Sequence, residues 1–200
     1  QIGARFENWG GPPGTYDGRV LALRRAVKSL IYDAQFMDTV GLQVVDARGK
    51  AVEPVPCGRP TRPNAPVEGV IGRWFLYNKG DQRGAVVNMI NAPVKKRMRV
   101  KLNTKAFGPV RSATAWTLDG KCGPITGEQK GDIYTFAVPE AELSSVVLSN
   151  RLCPVVEWHM DNVAAPGVMR KLHLTLTNVN AIPVSGTATL RLPKGWEAGP

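Results

Sequence analysis

Cysteine and histidine, the side chains that most often do chemistry in proteins, are few in this chain. Its three cysteines, Cys57, Cys122 and Cys153, form no C-x-x-C pair and are odd in number. Their number and spacing therefore do not indicate a disulfide framework, and we expect the three cysteines to lie in the core. No ligand-like spacing separates His159 from His173, so no metal site is predicted. Neither histidine belongs to a recognisable Ser/His/Asp or Cys/His arrangement, and the sequence predicts no cofactor.

The tryptophans are the next candidates, because an indole can stack on a ligand or fill a core. Trp74 and Trp116 lie in strand-like runs among apolar neighbours, so we expect both in the core. Trp158 stands between Glu157 and His159. We interpret that segment as a linker between two β-sandwiches, with the ring in their interface, rather than as a site.

Positive charge is concentrated in one part of the chain. Lys and Arg number 26 against 16 Asp and Glu, and the net charge of +10 permits binding to nucleic acid, acidic polysaccharide or an anionic membrane. Residues 82–118 contain no acidic residue, and apolar and basic residues alternate within 94–102, as in a half-buried strand. A solvated face is the favoured interpretation, with an acidic ligand and nucleic acid as alternatives; no aromatic residues interleave to stack on bases. The inward set is Met98, Val100 and Leu102, and the outward set is Arg97, Arg99 and Lys101.

The amino-acid composition indicates what class of protein positions these residues. The 200 residues are 43% hydrophobic and 21% charged, which is typical of a folded protein with a substantial core and excludes a disordered tail. No apolar run approaches the roughly 20 residues of a membrane-spanning helix. The 21 glycines and 16 prolines favour short strands and many turns.

One amphipathic helix is predicted, over residues 18–36. Apolar residues recur there at steps of three and four, and basic residues occupy the other face. Asp17 is the expected N-cap, and Gly41 is expected to end the element. The apolar set is Val20, Leu23, Val27, Leu30, Ile31 and Ala34, and the basic set is Arg19, Arg24, Arg25 and Lys28.

Short strands are predicted for most of the remaining chain. Residues 54–66 are proline-rich and are interpreted as a linker. Turn signals separate the strand-like runs at intervals typical of an antiparallel sandwich. The predicted strands are 42–46, 70–77, 84–91, 95–102, 112–118, 132–138 and 145–148, followed by a second β unit with strands at 172–177 and 186–192.

Part of the second β unit resembles a known module. Asn178 to Gly186, followed by the run Leu190-Arg191-Leu192-Pro193-Lys194-Gly195-Trp196, is similar to the opening of the NEW3 type of Ig-like β-sandwich, which accompanies α-galactosidases and other glycosidases. Residues 84–148, with the runs AWTLDGK and YTFAVPEAELSSVVL, are similar to the β-sandwich that follows the barrel in many glycoside hydrolases. Trp196 would be a packed aromatic of the module.

This resemblance implies a role for the N-terminal residues. A short strand, a Gly/Pro loop and a helix would be the last βα unit of a (β/α)8 barrel, whose active site lies at the strand C-termini. Glu7 would then be an acid, base or nucleophile, and Asn8 and Trp9 would bind the sugar. The alternatives are a surface carboxylate for Glu7 and loop packing for Trp9. A second carboxylate would have to come from before Gln1.

The expected fold is therefore mainly β: an antiparallel β-sandwich with one N-terminal amphipathic helix and a partial second Ig-like unit. The expected divisions are a strand–loop–helix segment at 1–53, the linker at 54–66, the sandwich at 67–153 and a truncated module at 154–200. Both ends look cut, so we expect a segment of a longer protein.

The resemblance implies a non-catalytic accessory segment of a carbohydrate-active protein, extracellular or periplasmic. The segment would brace the catalytic domain, and its partners would be carbohydrate through the parent protein and the adjacent domains of the same chain. Whether the chain is itself an enzyme stays open. The alternatives are a stand-alone binding or cell-surface module for acidic polysaccharide and, on charge alone, a nucleic-acid-binding protein, which is disfavoured.

Overall fold

A computed structural model describes residues 15–52, 69–92, 97–152, 155–160 and 172–178, and several positions within 183–197 (183–187, 189, 191–192, 194–195 and 197). For 69–71, 92, 155–160 and 172 it describes the backbone alone. The predicted site residues Glu7, Asn8 and Trp9, the proline-rich linker, Cys57, Cys153 and Trp196 lie outside the described residues.

The described part of the chain is mainly β, as predicted, with two larger antiparallel sheets, a separate two-stranded sheet and one helix. The elements are α1 (Tyr16–Ile31), β1 (Gln35–Asp38), β2 (Leu42–Asp46), β3 (Gly69–Lys79), β4 (Gln82–Ala92), β5 (Met98–Asn103), β6 (Ser112–Thr117), β7 (Cys122–Pro124), β8 (Gly127–Lys130), β9 (Ile133–Ala137), β10 (Leu143–Ser149), β11 (Val155–Met160) and β12 (Leu172–Thr177). One sheet has the order β1-β3-β4-β10-β6-β7, the other β2-β5-β9-β8, and β11 pairs with β12 alone.

Helix α1 begins and ends earlier than the sequence predicts. Its N-cap is Thr15, whose hydroxyl oxygen accepts a hydrogen bond from the Gly18 N–H at 3.2 Å, so the assignment of Asp17 as the cap was wrong. The helix ends at Ile31, not near Gly41, because Gln35–Asp38 pairs with β3 as an edge strand. Phe36 lies against Phe75 there, with ring centroids 5.1 Å apart.

The core lies between the two sheets. Met98, Val100 and Leu102 of β5 are buried while Arg97 and Arg99 are exposed and Lys101 is half-buried, so the predicted facing of this strand is confirmed. The largest fully buried side chains packed with them are Trp74, Met89, Phe136 and Leu148. Tight packing of these apolar groups supplies the main favourable term in folding.

The outer face of the six-stranded sheet carries α1. Val27 of the helix packs with Tyr77 and Val86, and Trp116 and Val147 flank this second cluster. The Tyr77 hydroxyl donates to the Leu148 carbonyl at 3.1 Å, which satisfies a polar group under the helix. Strand β1, which falls at the end of the predicted helix, belongs to the six-stranded sheet, and β2 belongs to the four-stranded sheet.

The strand pairing of the C-terminal part differs from the prediction. Strand β12 was expected to pair with 186–192, but it pairs with β11, a segment interpreted above as a linker. The described residues among 186–192 adopt no strand. Strand pairing joins segments that are distant in the sequence. The alternation of apolar and polar residues in 186–192 therefore does not specify which strand β12 pairs with.

Candidate functional site

Three side chains in the described part of the chain have shifted pKa values, and none of the three is among the causes of another's shift. Burial, followed by the charge of Glu142, raises the pKa of Tyr16 on α1. Burial alone raises the pKa of Tyr134 in β9. A hydrogen bond from Thr117 and one from Lys121 lower the pKa of exposed Asp119 in the β6–β7 turn. Catalytic sites couple such groups to one another, and burial or local hydrogen bonds account for the largest part of each of these three shifts.

The described tryptophans divide between core and helix interface. Trp74 is buried in the sandwich, where its indole N–H donates to the Val40 carbonyl at 2.8 Å. Trp116 is half-buried beside α1. Trp158 belongs to β11 and is therefore part of a paired strand, not of a linker. Cys122 is half-buried in the short strand β7 at the sheet edge, not in the core as expected.

A polar row crosses the outer face of the six-stranded sheet next to α1. Arg73 forms an ion pair with Asp38, and the Ser145 hydroxyl donates to the Asn88 side-chain oxygen at 2.6 Å. The strand register aligns Arg73 with Asn88 and Asn88 with Ser145. These groups satisfy one another, so they stabilise the sheet–helix layer rather than present donors to a ligand.

Basic side chains line the outer face of the four-stranded sheet. Arg99 lies opposite Ala137 and Lys101 opposite Thr135, and Lys130 is at the far edge of the same face. We call Arg99, Lys101 and Lys130 the basic face. Glu128 forms an ion pair with Lys130 at 3.1 Å, which offsets part of this charge. Arg99 and Lys130 are exposed and Lys101 is half-buried, so these cations can attract an anionic ligand from solution.

Three exposed apolar side chains follow the C-terminus of α1 along the chain. Tyr32 is 76% exposed, Phe36 of the edge strand β1 is 55% exposed, and Val40 in the next turn is 66% exposed. We call these three residues the docking strip. Exposed apolar side chains beside an unpaired sheet edge favour contact with another domain.

Among the side chains that the structure describes, no group of three or more His, Cys, Asp or Glu is close enough to hold a metal ion. Among the described residues, the one helix is too short and too polar to span a bilayer. No protein-family model matches the sequence. A search of curated proteins finds no significant match.

Proposed function

We propose that this chain is a non-catalytic accessory segment of a carbohydrate-active multidomain protein, in which it braces a catalytic domain and spaces a further NEW3-type module. The observation that carries the bracing role is the docking strip of Tyr32, Phe36 and Val40. The carbohydrate part of the proposal depends on the resemblance of residues 84–148 and 178–196 to glycosidase-associated sandwiches. That resemblance also favours an extracellular or periplasmic location.

The occupant of the docking strip that we propose is the adjacent catalytic domain of the same chain. Strand β1 is the terminal strand of its sheet, so its outer edge can take up a neighbouring element. Residues 1–14, which precede α1 in the sequence, carry Glu7, Asn8 and Trp9. In the proposal, those three residues complete a sugar-binding site whose other carboxylate comes from the catalytic domain.

The first experiment asks whether the chain has activity of its own. A glycosidase needs two carboxylates facing one bond, and the sequence offers one candidate, Glu7. We therefore expect the purified 200-residue chain to release no aryl group from aryl glycosides above the rate of a Glu7→Gln variant. Turnover by the wild-type chain that Glu7→Gln abolishes would show that the segment is itself an enzyme.

The second experiment tests the docking strip. Amide hydrogen exchange is measured for the isolated chain and for the full product of its gene. We expect protection of 32–40 to increase at least about tenfold in the full product, because a covering domain excludes water from these amides. The exposed turn at 47–50 is the control and should exchange equally in both. Equal exchange of 32–40 in the two proteins would contradict the docking role.

The basic face favours a second candidate function, binding of an acidic polysaccharide. Arg99 and Lys101 lie on neighbouring outward positions of one strand, so they present two cations to one extended anion. We expect Arg99→Glu with Lys101→Glu to lower the salt concentration that elutes the chain from an immobilised sulfated polysaccharide. Arg25→Glu with Lys28→Glu on α1 makes the same change in net charge and should elute later than the first variant. Equal losses in the two variants would mean that net charge alone drives retention.

A further inference from the structure

The chain has two histidines, and the β11–β12 ribbon brings them together. His159 of β11 and His173 of β12 are direct partners in the antiparallel register. The adjacent pairs in the register are Trp158 with Leu174 and Met160 with Leu172. Directly opposite residues of two paired strands lie on the same face, so the histidines share one face of the ribbon.

A carboxylate position belongs to that same face. Side chains alternate along a strand, and Glu157 lies two residues before His159. Its register partner Thr175 is likewise two residues after His173. The opposite face takes the apolar positions Val156, Trp158 and Met160 with Leu172, Leu174 and Leu176. The ribbon therefore has an apolar face and a face with two histidines and one glutamate.

We propose that His159, His173 and Glu157 form a binding site for Zn²⁺ that clips the two strands together. Opposite positions have Cβ atoms about 4.5–5.5 Å apart. Histidine is a common zinc ligand, with Zn–N bonds of roughly 2.0–2.1 Å, and two histidine positions at that separation are close enough to serve one ion. Glutamate, at the next position on this face, is a residue type whose carboxylate commonly accompanies two histidines at zinc.

The ribbon is an element that a metal would stabilise. A two-stranded sheet is marginal in water without further support. Leu174 and Leu176 are 50% and 52% exposed, so burial of these side chains adds little to its stability. A metal that binds the paired form and not the open form shifts the equilibrium towards pairing. The assignment is independent of the proposed accessory function, because it concerns the ribbon alone.

Sequence spacing did not indicate this site. The familiar zinc spacings join ligands within a tight turn or along one helix, whereas these histidines come from two strands. The register of the strand pair is what places them opposite each other. Strand register depends on non-local pairing, which single-sequence periodicity does not specify.

The test uses the full 200-residue chain, stripped with a chelator and then titrated with Zn²⁺. Because the chain has two histidines, its ring proton signals in NMR can be assigned with one variant. We expect both ring signals to shift together and to saturate at one Zn²⁺ per chain. Amides of 155–160 and 172–177 should become protected in the same titration. Shifts of one ring alone, or of neither, would overturn the assignment.

Variants separate a shared site from two independent histidines. His159→Gln and His173→Gln should each weaken Zn²⁺ binding about a hundredfold. Once one histidine holds the ion, the paired strand presents the other at a high effective concentration, and either substitution removes that gain in affinity. Glu157→Gln should weaken binding less than either. The matched control exchanges two neighbours, His173→Leu with Leu174→His, which keeps both histidines but moves one to the opposite face. We expect it to bind as weakly as the single histidine variants, and wild-type affinity in it would contradict the site.

Two further measurements separate zinc binding at the ribbon from changes in the sandwich and from binding to a cysteine. The thermal transition and the exchange of 84–91 should be unchanged in all four variants, because these residues belong to the sandwich and not to the ribbon. Cys153→Ser should bind Zn²⁺ as the wild-type chain does. Binding that survives both histidine variants and disappears in Cys153→Ser would place the ion on the thiol and overturn the assignment.

Discussion

Two consecutive serines of β10 show how much a single hydroxyl depends on its partner. Ser144 and Ser145 are both buried, on opposite faces of the strand. The Ser145 hydroxyl donates to Asn88, whereas the Ser144 hydroxyl faces the core and finds no hydrogen-bond partner among the described residues. A buried hydroxyl without a partner has lost its hydration and gained nothing in exchange.

Substitution of these serines should therefore have opposite effects. We expect Ser144→Ala to raise the free energy of unfolding by about 1 kcal/mol, because it removes an unsatisfied polar group from the core. Ser145→Ala should lower it by about 1 kcal/mol, since it leaves Asn88 without its partner. Urea denaturation of the two variants provides the measurement. Destabilisation by Ser144→Ala would indicate that its hydroxyl has a partner.

Gly84 is a second residue whose type is set by its surroundings. A Cβ at this position of β4 would overlap the Leu148 carbonyl oxygen of the neighbouring strand and the Tyr77 ring. The backbone carbonyl cannot move aside without breaking the sheet pairing. We expect Gly84→Ala to cost at least about 2 kcal/mol in denaturant unfolding. Gly123→Ala in β7 has open space around its Cβ and should stay within about 0.5 kcal/mol of wild type. Similar costs for the two variants would refute this explanation.

At the scale of elements, the two faces of β5 differ in how much their side chains contribute to the free energy of unfolding. Val100 is fully buried between the sheets, and Arg99 beside it is exposed. We expect Val100→Asp to lower the free energy of unfolding by at least about 3 kcal/mol, because a carboxylate there is buried without a partner. Arg99→Ala should change it by no more than about 0.5 kcal/mol. Thermal unfolding followed by circular dichroism gives both values, and equal effects would mean that the strand faces the other way.

Helix α1 shows how tertiary pairing can override a local pattern. The apolar stripe through Ala34 continues the helical spacing, yet the helix ends at Ile31. The next residues instead form β1 against β3. That pairing satisfies their backbone groups in a ladder and brings Phe36 onto Phe75, which an extra helical turn would not achieve.

At the scale of the whole molecule, the sandwich and the β11–β12 ribbon should differ in stability. Strand β4 lies between β3 and β10 in a six-stranded sheet, with Ala85, Val86 and Val87 fully buried. Strand β12 pairs with β11 alone, and its described side chains are exposed. In metal-free solution we expect amides of 172–177 to exchange at least about a hundredfold faster than those of 84–91. Equal protection would mean that the ribbon is a cooperative part of the sandwich.

Local patterns in the sequence were sufficient to predict much of the sandwich. The alternation of Met98, Val100 and Leu102 with basic residues specified which side of β5 is buried, because a strand repeats every two residues. The Gly80-Asp81 turn signal located the β3–β4 hairpin, where Gly80 has a positive φ of 63° that glycine adopts without strain. The predicted site at Glu7, Asn8 and Trp9 stays a prediction.

Tertiary structure decided what depends on partners distant along the chain. The end of α1, the pairing of β12 with β11 and the opposition of His159 to His173 all follow from strand pairing. Many segments of a chain this rich in short strands have suitable alternation, so alternation alone cannot select among partners. Packing and backbone hydrogen bonding over the whole molecule make that selection, and they bring residues from two separate strands to one face of the ribbon.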